Sequence, residues 1–339
     1  MTKRWIMTMM AGVLACLFTS RGISETTSGL VLSDSLDARG TALGDAQAGL
    51  ADVAAYQVNP AVLAGVSGQY ASAFFKPEPL GLSTGSLRYA QAFGFGTIAG
   101  QFVYRSMGDM DFVTSSGEEK TVSAGSDLVM GVSYGRQAYG PVDAGITVKM
   151  ISSKLVEKYS AFGFAADFGT TVKLPFRGAT AGVSVRNIGS GLKYNEKAEP
   201  LPSEFRAGGS YVYDFGQFGN LVSLDAIYGL GNKLFAIGAG VESTWNKLLS
   251  VRLGYQMGSD LKGFAAGLGF NWQDSSLDYS VQPMAESIGL SHSISISYRF
   301  SGKPAAAARS AASPAVSAPA EETPEPAVAP KPAAKGRAK

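Results

Sequence analysis

Six cations, Arg88, Lys149, Arg186, Arg206, Arg252 and Arg299, fall on the polar side of segments that alternate apolar and polar residues one by one. One or two of them could hold a ligand carboxylate through paired, charge-assisted hydrogen bonds. Asp143, Asp225 and Asp278 share that polar side, so a ladder of mutually neutralising charges is the competing reading. Other chemistry is scarce. The chain has one His, His292, and one Cys, Cys16, which leaves metal sites and nucleophile–histidine pairs almost nothing to work with. Ser203, Glu204 and the scattered Ser/Asp pairs form no hydrolase constellation. Gly94-Phe95-Gly96 reads as a strand turn and not a phosphate loop, because no helix follows it. No enzymatic activity, cofactor or metal is expected.

The elements that must position these cations are strands. In the last segment His292, Ile294, Ile296, Tyr298 and Phe300 share one face, and Ser291, Ser293, Ser295, Ser297 and Arg299 the other. Leu249, Val251, Leu253 and Tyr255 oppose Ser250, Arg252, Gly254 and Gln256 in the same way, and Ala144, Ile146, Val148 and Met150 oppose Asp143, Gly145, Thr147 and Lys149. Period two over such lengths is the signature of a two-faced strand. The pattern predicts fourteen strands, near 69–76, 84–93, 95–106, 125–137, 141–152, 158–173, 178–189, 203–214, 219–229, 233–243, 248–258, 262–273, 275–284 and 291–300. Their connections alternate between tight turns and longer links, the longest polar ones running from Met107 to Gly125 and from Gly189 to Pro202. An even strand number, alternating link lengths and aromatics near strand ends fit an antiparallel transmembrane β-barrel. A secreted β-sandwich also alternates, but small residues would not dominate its second face so consistently.

Charge and targeting agree with export. Lys3 and Arg4 precede an apolar run from Trp5 to Phe18 and small residues up to Ser24, which reads as a signal peptide over 1–24. Cys16 lies inside the apolar run, where a lipoprotein signal would use it as the lipidated residue; a cut after Ser24 removes it and leaves no disulfide framework. Beyond the signal no 18 apolar residues run together, so no membrane helix is expected. A net charge of +2, spread along the chain, gives no sign of nucleic-acid binding. Residues 25–66 are small, Gly/Ala-rich and weakly polar, and read as a plug ahead of a barrel at 67–300. The Ala/Pro-rich stretch 301–339 cannot bury a core; it reads as an extended periplasmic tail whose basic end could touch anionic cell-wall polymer.

Within the plug, Arg39, Ala42, Gly44, Ala51, Asp52, Asn59, Pro60 and Ala61 form a pattern that resembles the N-terminal hatch of FadL-like outer-membrane transporters and their PorV/PorQ-type relatives. Arg186-Asn187-Ile188-Gly189, Pro200-Leu201-Pro202 and Phe205-Arg206-Ala207-Gly208 resemble middle-barrel signatures of the PorV-like branch and of a related spirochaete family. The resemblance runs from about Leu30 to Phe300. It implies a fourteen-stranded barrel in the outer membrane of a diderm bacterium, surrounded by lipid. It further implies a gating hatch carrying Arg39, Gly44, Asp52, Asn59, Pro60 and Ala61, and a hydrophobic ligand, long-chain fatty acids among them, leaving sideways through a gap in the wall. The alternative to transport is a PorV-like platform that binds and assembles secreted or surface proteins, and a plain porin is a third. Tyr298-x-Phe300 resembles the ending read by the barrel-assembly machinery. The longest outer link spans only about 18 residues, short for a fatty-acid-catching groove.

Overall fold

The computed structural model describes residues 28–113, 117–156, 158–258, 262–284 and 289–300. The expected signal peptide with Cys16 and the expected tail lie outside these residues. Fourteen strands close into one antiparallel barrel: β1 (Gln69–Pro77), β2 (Ser83–Phe93), β3 (Gly96–Ser106), β6 (Gly125–Tyr139), β7 (Val142–Leu155), β8 (Tyr159–Lys173), β9 (Ala179–Gly189), β12 (Glu204–Phe215), β13 (Phe218–Gly229), β14 (Phe235–Trp245), β15 (Leu249–Met257), β16 (Phe264–Trp272), β17 (Ser275–Met284) and β18 (Gly289–Arg299). They coincide with the predicted segments to within a few residues. Sequence periodicity missed two hairpins in the long links, β4 (Asp109–Val113) with β5 (Glu119–Ser123), and β10 (Leu192–Lys193) with β11 (Ala198–Glu199). Each of these strands is too short to carry a convincing period.

Neighbouring strands pair all the way round, and β18 closes on β1 with Ser297 opposite Ser72 and Ile294 opposite Phe75. The wall gap implied by the family resemblance is therefore not present among the described strands. An outer hollow of about 650 Å³ does lie over that seam, floored by Ala71, Ala73 and Gly100 and flanked by Leu87, Phe102 and Tyr298. One end of the barrel carries the tight turns and both barrel termini; the other carries the two hairpin loops.

The outer face is apolar and the inner face polar, as the alternation requires. On β15, Leu249, Val251, Leu253 and Tyr255 are exposed, whereas Ser250, Arg252 and Gln256 are buried. Exposed aromatics cluster at both ends, among them Phe93, Phe95, Phe215, Trp245 and Trp272 at the turn end and Phe75, Tyr104, Phe164 and Phe264 towards the loop end. Among the described residues no helix is long and apolar enough to cross a membrane.

Residues 28–66 thread the barrel lengthwise. Ser28 N donates to Pro200 O at the loop end, and the segment reaches the turn end just before β1. On the way it forms a 3-10 turn at Leu30–Leu32, the helix α1 (Ala38–Ala42), and 3-10 turns at Val53–Gln57 and Pro60–Gly65. Asp37, Asp52 and Asn59 begin the last three, each with its side chain accepting a backbone N–H of the first turn, from Gly40, Ala54 and Ala61. Short acceptors at that position are the standard way to start a helix. These turns are too short to stand alone, so the barrel around them must hold them.

An apolar outer face makes one prediction about its surroundings. Leu253 sits mid-strand on β15 and faces outward. Leu253→Arg is expected to lower the stability of the barrel in lipid vesicles by about 2–4 kcal/mol, read from urea unfolding, whereas a change at a strand end costs much less.

Candidate functional site

The site is the contact between the threaded segment and the inner wall. Charge dominates it. Arg39 donates from Nε and Nη2 to the two carboxylate oxygens of Glu242 (2.7 and 3.0 Å) and from Nη1 to Asp52 (2.7 Å). Arg252 donates to the same Glu242 (2.5 Å) and to Asp278 (2.7 Å), so a continuous chain of opposite charges links plug to wall. Towards the loop end Asp34 accepts from Arg105 (2.5 Å), and Lys262 donates to Asp45 (2.8 Å). Burial pushes the Asp34 carboxyl up, but Lys76, Lys262 and Arg105 together hold it below the usual carboxylate range. Burial likewise opposes ionisation of Asp52, and Arg39 and Arg299 outweigh it, so that group is also held low.

All six predicted lumen cations point inward or to the lumen rim, and each has a carboxylate within ion-pair distance. Arg88 faces Asp37 (3.6 Å), Lys149 faces Asp167 (2.6 Å), Arg252 faces Glu242 and Asp278, and Arg299 faces Asp52 (3.8 Å). Arg186 and Arg206 share Glu204. The neutralising ladder is thus realised, with the plug supplying several of its acidic rungs. Asp225 does something different. Its Oδ2 accepts the backbone N–H groups of both Gln47 and Ala48 at 2.7 Å, fixing the middle of the plug by a single carboxylate.

The remaining predicted hatch residues are held by close backbone contact. Gly44 has φ +65°, and a Cβ there would lie 2.7 Å from Ala239 O and Tyr255 N, so both conformation and space demand glycine. Wall glycines reciprocate: a Cβ on Gly240 would stand 2.5 Å from Leu43 O, and one on Gly182 would collide with Ala48 O. Asn59 is fully buried; its Nδ2 donates to Ala48 O (2.8 Å) and Thr170 O (3.0 Å) while Oδ1 accepts from Ala61 N (3.1 Å). Pro60 and Ala61, also buried, sit against the inward glycines Gly145 and Gly169. Asn59 therefore ties the plug to itself and to β8, and Pro60 starts the next turn with its φ already set.

Several participants were not singled out by sequence reasoning. Glu242 sits on the inward phase of β14 with Gly238 and Gly240, so period two could have placed it inside; its partner Arg39 could not be read off. The lumen is also less polar than expected. Phe74, Val103, Val129 and Ile151 point inward at the loop-end half and form a core with Val31, Leu32 and Leu36 of the plug and with Leu192 and Leu201 of the 190–203 link. Inward apolar residues are tolerated here because the plug, not water, covers them. Gly131-Val132-Ser133-Tyr134-Gly135 matches the spacing of a nucleophile elbow, yet it lies inside β6 with Ser133 Oγ bonded to Thr147 Oγ1, without the strand-to-helix turn such an elbow needs. His292 lies on the outer side of β18, paired with the Tyr279 hydroxyl (2.7 Å). Tyr298 and Phe300 are also outward, their rings 4.7 Å apart edge to face.

No family model and no curated protein matches the chain. Solved structures do. The Pseudomonas putida toluene transporter TodX aligns with 80% of this chain and 100% of its own, at 11% identity and a TM-score of 0.60. The chain shares that barrel fold. A monoaromatic hydrocarbon channel variant of TodX, the deltaS2 mutant, aligns with 78% of this chain and 99% of its own, at 12% identity and a TM-score of 0.54. Identities this low carry the fold and nothing finer.

Two outcomes follow for the plug. Asn59→Ala removes a cap and leaves two buried carbonyls without their donor; the plug is expected to lose about 2–4 kcal/mol, seen as faster hydrogen exchange over residues 37–65 with the barrel strands unchanged. Carboxyls held low, as Asp34 and Asp52 are, add stability above their unfolded value and lose it as pH falls through the depressed one. The contribution of these two carboxyls should therefore be complete above the ordinary carboxylate value of about 4 and fall away below it, seen as faster plug exchange, corrected for the intrinsic rate, that Asp34→Asn and Asp52→Asn make independent of pH in that range.

Proposed function

We propose that the chain is an exported outer-membrane barrel that passes a hydrophobic or amphipathic small molecule, of which long-chain fatty acids are one class, by passive diffusion with no cofactor or energy input. The observation that carries this reading is a closed barrel with an apolar outer face and a lumen filled by the chain's own leading segment. A porin needs an open water path; this lumen is occupied along its length, and a cavity between plug and wall measures only about 10 Å³, room for about one water. The shared fold with a toluene transporter supports the same direction. Ligand enters at the loop end, meets residues 28–66, and leaves after that segment rearranges, with Arg39, Gly44, Asp52, Asn59, Pro60 and Ala61 setting how easily it does so. The pairing of Arg88, Lys149, Arg186, Arg206, Arg252 and Arg299 with carboxylates makes most of them wall supports, so that a ligand headgroup has to compete for the few that are shared. During biogenesis Tyr298-x-Phe300 serves as the recognition ending for the assembly machinery.

A second reading, the PorV-like platform for secreted or surface proteins, is favoured by one specific observation: the wall is hydrogen-bonded without a break, so a sideways exit requires strands to part. Uptake separates the two. Cells carrying the wild type should take up labelled oleate or toluene faster than cells lacking the protein, and Asn59→Ala should change that rate. Equal uptake with and without the protein rejects transport, and a stoichiometric protein partner recovered by cross-linking then selects the platform.

A further inference from the structure

The 3-10 turn Leu30–Leu32 occupies the lumen in the manner of a bound molecule. Val31 and Leu32 insert into the apolar patch that Phe74, Val103, Val129 and Ile151 form on the inner wall, and Leu192 and Leu201 close it from the loop end. These inward wall residues break the polar rule of the lumen. The same turn presents one polar atom. Leu32 O accepts from Arg186 Nη2 (3.0 Å) and from Asn187 Nδ2 (3.4 Å). Among the described residues Glu204 is the one carboxylate within ion-pair distance of Arg186, and Arg206, which Asp45 and Asp225 also attract, shares it. Its buried Nε makes no hydrogen bond. The small cavity described above lies at this junction, bordered by Leu32 and Val129 on one side and Arg186 and Lys149 on the other.

An apolar body ending in an acceptor oxygen beside an incompletely neutralised guanidinium describes an alkyl carboxylate as well as it describes Val31-Leu32. We propose that residues 30–32 are a built-in occupant of an amphipathic ligand site, and that Arg186 and Asn187 form the latch that keeps them there. A carboxylate with an alkyl chain takes the place of Leu32 O at Arg186, and its chain takes the place of the Val31 and Leu32 side chains. Asn187 is placed for a latch by its own backbone. It stands at φ +58° in a bulge of β9, where Arg186 and Asn187 face the single Asp167 of β8, its N–H held by Asp167 (2.8 Å), and its Nδ2 also donates to Pro202 O (3.0 Å). One side chain therefore joins the turn to the link that covers it. This inference deepens the transport reading and rests on it for its biological purpose, but its test does not use transport.

The test is photolabelling of the full-length barrel in lipid nanodiscs with diazirine-bearing decanoate, with peptide mapping to separate lumen sites from the lipid-facing background. Wild type should label weakly at the peptides carrying Val103, Val129 and Ile151. Asn187→Gly keeps the left-handed backbone and removes the Asn187 half of the latch together with the bond from Lys149 Nζ to Asn187 Oδ1 (2.8 Å); Leu32→Ala keeps the latch and empties the pocket. Each should raise labelling of those peptides by about tenfold, the change expected from one lost hydrogen bond or packing contact. Val103→Phe, added to either, should cancel the gain by refilling the space. A diazirine hydrocarbon of the same length should label the same peptides less, because it has no group for Arg186. Unchanged labelling in both Asn187→Gly and Leu32→Ala overturns the proposal, as does a hydrocarbon that labels as well as the carboxylate. If the site fills in these variants while cells show no protein-dependent uptake, the site stands and the transport reading falls.

Discussion

A charge inside a narrow barrel is satisfied by water, by an opposite charge or by hydrogen bonds such as the two backbone N–H groups on Asp225, and here the plug leaves little room for water. Everything else in the lumen follows from that. Isolated burial of an ion costs several kcal/mol, so each inward Arg or Lys must face a carboxylate at short range. The wall alone does not meet the demand: Arg88 is answered by Asp37, Lys262 by Asp45 and Asp34, and Arg299 by Asp52, all on the threaded segment. The segment in turn brings Arg39, which Glu242 and Asp52 neutralise together. Plug and wall are thus one electrostatic unit. Neither would be satisfied with the other removed, and the turns of the plug, each one to two helical turns long, have no independent reason to hold their shape.

Charge fixes position along the wall; glycine fixes depth. Gly44 in the plug and Gly182, Gly240 and Gly254 in the wall let the two backbones touch directly. That intimacy makes the filling nearly dry, and it makes Asp225 effective, since its carboxylate can reach two successive plug N–H groups only if the backbone approaches so closely. The cost falls on flexibility of response. Displacing the plug as a rigid body would break the ion pairs, the Asn59 bonds and the Asp225 cradle together, whereas the loop-end third is held mainly by apolar packing, by the Asp34 pairs, and by the bonds to Leu32 O.

Much of this fold could be read from the chain, because period two is a local property. Leu249 to Gln256 announce their two faces without knowing which strand lies beside them, and the alternation of short and long links orders the strands around the barrel. The inward placement of Arg186, Arg206 and Arg252 followed from the same phase. What could not be read is anything that depends on register between distant segments. Arg39 and Glu242 lie 203 residues apart, and no spacing rule joins them. The two small hairpins escaped because two to five residues cannot show a period. Val103, Val129 and Ile151 were legible as inward by phase yet contradicted the expected polar lumen, and the phase was the better guide: their covering was the plug, whose seat lay beyond sequence reasoning.

The Arg186-to-Gly189 and Pro200-to-Pro202 stretches show how a sequence signature can be explained by geometry. Taken alone they look like strand end and loop. In the folded chain Arg186 holds Glu204 and Leu32 O, Asn187 ties Leu32 O to Pro202 O, Ser203 donates to Asn187 O, and Leu201 caps the apolar patch. All of these contacts converge on one point, the entry of the plug at the loop end. A barrel whose plug served only as filler would need no more than the Asp225 cradle and the ion-pair chain nearer its middle. The polar clasp over an otherwise apolar patch is a second attachment, separate from the Asp225 cradle and the ion-pair chain, and it joins the entry of the plug to the wall and to the 190–203 link at once.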